Sequence, residues 1–140
     1  MSIYQTLKNA DIEYGLEQEV IILEQIRLHF EDESIIKTEE KFNIFDFHSV
    51  TNNIFFELKS RKFELNKYPT TMIGINKIKK AHKTKTDIFL LFNFTDCLTC
   101  IKYNEELFKT FEIKKGGRQD RNRYEYSNYI YIPIEYLIKI

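Results

Sequence analysis

Four glycines and two prolines in 140 residues leave the chain with few breaks. No Pro/Gly/Ser-rich linker divides it, and neither an internal repeat nor a low-complexity tract is visible. The expectation is a single domain over residues 1–140, long enough to bury a core. Long apolar runs are missing too: none approaches the ~20 residues a membrane helix needs. The N-terminus, MSIYQTLKNADIEYG, has no basic segment followed by an apolar one. The expectation is therefore no secretory signal and, by default, a cytoplasmic location, that of the host cell if the protein is viral. Cysteine is nearly absent. Cys97 and Cys100 share the run DCLTC, whereas a structural zinc needs about four ligands. His29, His48 and His82 stand at no ligand spacing, so the two thiols read as part of a turn between strands, with zinc or redox chemistry the rarer alternative. Excess charge is also lacking. A formal net charge of zero argues by itself against a generic polyanion binder.

The charge that is present is sorted along the chain. Residues 11–40 hold ten acids against Arg27 and Lys37, and residues 58–85 hold nine bases against Glu64. A second basic stretch, KKGGRQDRNR, spans 114–123. Such asymmetry in a neutral protein suits either solvated faces or a basic surface for phosphates.

Hydrophobic spacing predicts a helix over about 11–30, with Ile12, Leu16, Val20, Leu23, Ile26 and Phe30 on one stripe. Strands follow at 35–40, 42–48 and 53–63, with VTNN as a turn. NKYPTT reads as a loop, NKIKKAHK (76–83) as a basic helix, and DIFLLFNF (87–94) as a strand buried on both faces. LTCIKYN can pair beside it. Residues 105–112 are ambiguous, 124–132 read as a strand, and 134–140 as a short closing helix. The order α-β-β-β-α-β plus C-terminal additions predicts an α/β fold, a mixed sheet flanked by helices.

On the strand NIFFELKS, residues two apart share a face, so Glu57 and Lys59 lie side by side with Phe55. Charges amid apolar strand residues are expensive to bury unless paired or metal-bound. A salt bridge would satisfy Glu57 and Lys59 alone. Asp46 changes that reading, because a tight turn at 49–53 brings it near Glu57. Two adjacent carboxylates repel unless a cation lies between them. A hard ion such as Mg²⁺, held by one or two carboxylates, waters and substrate phosphate, resolves the conflict. On the first helix, with Leu16 at 0°, the apolar stripe centres near about 320° and Glu19 falls at about 300°. Glu17 and Glu24 fall outside it, so Glu19 is the helix carboxylate aimed at the sheet.

Asp46, then Glu57-Leu58-Lys59, resembles the PD-(D/E)XK nuclease superfamily with its restriction-endonuclease-like fold, as a small stand-alone member. The match covers about residues 11–94. The residue before Asp46 is Phe45, where the name pattern has proline. The resemblance implies that Asp46, Glu57 and the Leu58 carbonyl bind a first Mg²⁺, for which Mn²⁺ substitutes. It assigns Glu19 to a second metal or its water, and Lys59 to the attacking water. The products would be 5′-phosphate and 3′-hydroxyl ends, with no organic cofactor and no membrane.

Around this site, Lys77, Lys80, Arg61, Lys62, Arg118 and Arg121 are candidate DNA contacts. Such contacts give affinity but not sequence information. YPTT at 68–71 could cap the helix, touch the DNA backbone or simply turn. His48 is a possible neighbour of the site, and the tyrosines from 124 to 136 read mostly as packing. A chain of this length suggests a structure-selective DNA endonuclease acting on branched, junction or single-stranded DNA. Its high Ile, Asn, Lys, Phe and Tyr content fits an AT-rich phage or viral genome. Homodimerisation through the 124–132 strand or the C-terminal IEYLIKI is a further expectation. The rival readings are an exonuclease, a restriction-type enzyme, a silent nucleic-acid-binding module and a structural ion-pair cluster.

Overall fold

A computed structural model describes residues 3–39, 45–116 and 127–140. The elements run α1 (Ile3–His29), β1 (Ile35–Lys37), β2 (Phe47–Ser49), β3 (Ile54–Ser60), β4 (Thr70–Gly74), α2 (Ile75–Lys83), β5 (Asp87–Asn93), β6 (Leu98–Lys102), α3 (Glu105–Phe108), β7 (Glu112–Gly116), β8 (Ser127–Pro133) and β9 (Ile138–Lys139). Six strands form one sheet in the order β1-β2-β3-β5-β6-β9, and β4-β8-β7 form a second, antiparallel sheet. In the large sheet only β3 and β5 are parallel. Parallel neighbours need a long crossover, and here it carries β4 and α2.

Each face of the large sheet has its own core. On one, Ile22 and Ile26 of α1 pack with Ile35, Phe47, Phe56 and Leu91. On the other, Ile78 and Ala81 of α2 pack with Leu90 and Phe92 of β5 and with Ile130 and Ile132 of the second sheet. β5 is thus covered on both sides, as its continuous apolar run predicts.

Several expectations are corrected. The stripe of α1 that meets the sheet centres on Ile22 and Ile26, while Leu16 and Val20 are 52% and 63% exposed. The reason is length. A helix of 27 residues is about 40 Å long, whereas the seven residues of β3 span roughly 23 Å. Among the described side chains of α1, Ile22, Leu23 and Ile26 are the ones that join the core on the sheet, with Phe30 just beyond the helix end. The closing segment is not a helix: Ile134–Tyr136 make one 3-10 turn and β9 then pairs with β6, Cys100 opposite Ile138. Seven residues are too few to hold a helix on their own, and the free edge of β6 offers backbone partners. The strand at 127–133 is no exposed edge, because β4 and β7 flank it. Lys114 and Lys115, expected in a loop, belong to β7, and Arg118 and Arg121 lie outside the described residues. Cys97 and Cys100 are free thiols before and within β6. Among the described residues no helix is long and apolar enough to cross a membrane.

Candidate active site

The site grows from the β2–β3 hairpin. Phe47 pairs with Phe56 and His48 with Phe55, so the next position outward sets Asp46 beside Glu57. The ladder continues through Asp46, whose N–H donates to the Phe56 carbonyl (2.9 Å) while its own carbonyl accepts from Thr38 (3.0 Å). One oxygen of the Asp46 carboxylate accepts the Leu58 N–H at 2.7 Å. That bond fixes the aspartate against β3.

Glu57 is 4% exposed on the α2 face of β3. Because β4 ends at Gly74 and α2 starts at once, the first turn of α2 lies over β3. Lys77 Nζ thereby reaches both Glu57 oxygens at 3.3 Å. Lys59 Nζ is 3.7 Å from Glu57 Oε1 and remains 39% exposed. Burial, and then the Asp46 charge, push the Glu57 carboxyl up to about 7, with Lys77 and Lys59 pulling the other way. The two flanking lysines thus offset only part of the effect of burial and of the Asp46 charge. Phe45, in the place of the proline, is buried, and its ring centroid is 5.9 Å from Lys77 Nζ.

The other candidates are more scattered. Glu19 does face inward, in line with Ile22 and Ile26, but its carboxylate pairs with Lys37 of β1 at 2.5 Å. No group of three or more His, Cys, Asp or Glu side chains placed to hold a metal occurs among the described residues, so Glu19 does not complete a triad with Asp46 and Glu57. His48 stacks on Phe55, centroids 4.3 Å apart, and bonds Asn53 at 2.9 Å. Lys62 and Lys80 are exposed. Arg61 Nε donates to Thr71 Oγ1 at 3.1 Å, and its guanidinium lies 5.4 Å from the Phe92 ring centroid.

Over residues 4–140 the sequence matches the model of a family described as "Phage putative PDDEXK endonuclease". The chain belongs to this family. No curated protein matches it. The matched range includes Asp46 and the Glu57-Leu58-Lys59 segment. Membership also accounts for the mixed sheet between helices as a restriction-endonuclease-like fold. Sequence reasoning missed a cleft beside the site, lined in part by Arg61, Tyr68, Thr71 and Tyr131. Its walls come from segments far apart in the chain, and only the YPTT cluster of hydroxyls next to an aromatic hinted at it.

Proposed function

We propose that the protein is a metal-dependent DNA endonuclease that selects DNA structure, such as branched or single-stranded DNA, over long sequence. The observation that carries this reading is the pairing of Asp46 with the buried Glu57 while Lys59 stays open to solvent beside them. The donor set fits a hard divalent ion, since two adjacent carboxylates, one pushed toward neutrality by burial, are relieved by a cation. Mg²⁺ needs only one or two carboxylates from the protein. Asp46 and Glu57 would hold it, with the Leu58 carbonyl as the expected third ligand, and Mn²⁺ would substitute. When bound, such an ion lowers the pKa of water and offsets phosphate charge.

The chain's own groups divide the remaining work. The Leu58 N–H orients Asp46. Lys77 holds Glu57 in place. Lys59, free to reach outward, stabilises charge developing on the phosphate and orients the attacking water. Glu19, held by Lys37, enters only through a water. Lys62 and Lys80 supply attraction for the DNA backbone.

The test incubates the protein with supercoiled, linear, single-stranded and branched DNA in Mg²⁺ or EDTA. Wild type should cut only with Mg²⁺. Lys59→Ala should slow cleavage by about 10²–10³-fold, the scale of losing one transition-state donor, and Asp46→Asn should abolish it. Equal cleavage by all three proteins, or cleavage that persists in EDTA, would overturn the proposal.

A further inference from the structure

The cleft beside the active site has a volume of about 590 Å³, within the range of small-molecule sites. It opens where β3 ends. Ser60 and Arg61, which directly follow Lys59, line it together with Tyr68 to Met72 and Tyr131. Arg61 follows the end of β3, two residues after Lys59 and so roughly 7 Å along the chain. The two positions also share a neighbour: Lys59 is opposite Phe92 on β5, and the Arg61 guanidinium lies over the Phe92 ring.

The lining combines two kinds of group. Phe63, Tyr68 and Tyr131 supply rings; Tyr68 is 49% exposed and stands edge-on to Phe63 with centroids 5.0 Å apart. Arg61 and Lys62 supply positive charge, and the lining contains no acid. Two further cations lie over rings of the lining. Lys67 Nζ is 5.7 Å from the Tyr68 centroid, and Lys114, also paired with Glu112 at 3.3 Å, is 5.5 Å from that of Tyr131. Arg61 is not free to swing away, since it donates to both Thr71 Oγ1 and the Met72 carbonyl. Aromatic rings with cations over and beside them match a ligand with an aromatic base and an anionic backbone.

We propose that this cleft receives an unpaired nucleobase of single-stranded DNA, stacked on Tyr68, with the adjoining phosphates on Arg61 and Lys62. The inference rests on the nuclease reading for the identity of the strand and gives that reading a substrate subsite. A base inside an intact duplex keeps its faces covered by its neighbours, so only an unstacked base can enter. The cleft would thus favour single strands and flaps next to the scissile phosphate.

The experiment measures binding in EDTA by fluorescence anisotropy, with three DNA probes of equal length: a single strand, its duplex, and a single strand whose bases are replaced by abasic sites. Wild type should bind the single strand more tightly than either of the others. Tyr68→Ala should weaken single-strand binding by about 5–150-fold, the equivalent of one lost base stack, and should leave binding of the abasic strand unchanged. Tyr68→Phe should restore binding. Equal affinity for the normal and abasic strands, or an unchanged affinity in Tyr68→Ala, would overturn the proposal. The abasic probe on wild type discriminates even if the alanine variant folds poorly. Failure of the nuclease reading is a separate outcome. It appears as absent cleavage in Mg²⁺, whereas failure of the cleft alone leaves Tyr68→Ala binding and cutting like wild type.

Discussion

Asp32 and Glu57 are both buried acids, 8% and 4% exposed, yet their surroundings treat negative charge in opposite ways. Asp32 follows α1 and is encircled by donors. It accepts from Ser34 N (2.9 Å), Ser34 Oγ (2.6 Å), Asn52 Nδ2 (3.0 Å) and Ser49 Oγ. The Ser34 and Ser49 hydroxyls hold its carboxyl down at about 2. Glu57 faces a second carboxylate, and burial drives it up to about 7. The first acid closes a knot between α1 and the β2–β3 turn. The second has Lys77 and Lys59 beside it, and an acid so perturbed by burial and a like charge is a candidate for a working site. Burial of an acid therefore says little until its neighbours are counted.

The sharpest way to break this contrast is a pair of isosteric changes. Glu57→Gln should reduce Mg²⁺-dependent DNA cleavage by roughly 100-fold or more, on the several-kcal/mol scale of metal assistance. Asp32→Asn should cut DNA at the wild-type rate per folded molecule. If Asp32→Asn loses cleavage while remaining folded, the two acids do not differ in role.

Metal should also discriminate between them. Wild-type stability should rise with Mg²⁺, by about 2.7 kcal/mol once the ion reaches a hundred times its Kd. Asp32→Asn and Lys59→Ala should show the same increment from their own baselines. Asp46→Asn and Glu57→Gln should show little. Thermal unfolding across a Mg²⁺ titration checks this, and an undiminished increment in Glu57→Gln would remove that residue from the metal site.

How far the sequence reveals this arrangement depends on the range over which a residue acts. Asp46 opposite Glu57 is legible because the two-residue strand period and a short turn fix it locally. The inward phase of Glu19 is legible for the same reason, but its partner Lys37 is not, since helix phase says nothing about what the sheet presents. In the second sheet, β8 shows as the alternation Tyr129, Ile130, Tyr131, Ile132. Its neighbours TTMIG and EIKKG are only five residues each, and both pair with β8. The cleft depends on that sheet, so Tyr131 reads as packing until Tyr68 and Arg61 are seen to line the same cleft.

A smaller effect tests the structural half of the contrast. Asp32→Asn should lose about 1–3 kcal/mol at pH 7, because one charged acceptor among four donors is replaced by an amide. The pH dependence has a definite sign. The folded-state pKa of about 2 lies below the ordinary 3.8, so the charge stabilises the fold above pH 3.8 and this contribution fades as pH falls toward 2. Urea unfolding at pH 7 and pH 3 should show the gap between wild type and variant narrowing with acid. A gap that widens would mean that Asp32 does not carry the knot.

The smallest effect lies one residue before that knot. Glu31 has φ 50°, a left-handed conformation that strains any side chain with a Cβ. It is held there because the Asp32 N–H reaches back to the Arg27 carbonyl at 3.0 Å, the closure that ends a helix and that glycine accommodates best. Glu31→Gly should relieve the strain but give the unfolded chain more freedom, for a net gain of about 0.5 kcal/mol. Cleavage and Mg²⁺ response should not change. A destabilised Glu31→Gly would mean that the glutamate side chain itself supports the end of α1. The position of Asp32 would then depend on more than the backbone turn that delivers it to Ser34, Ser49 and Asn52.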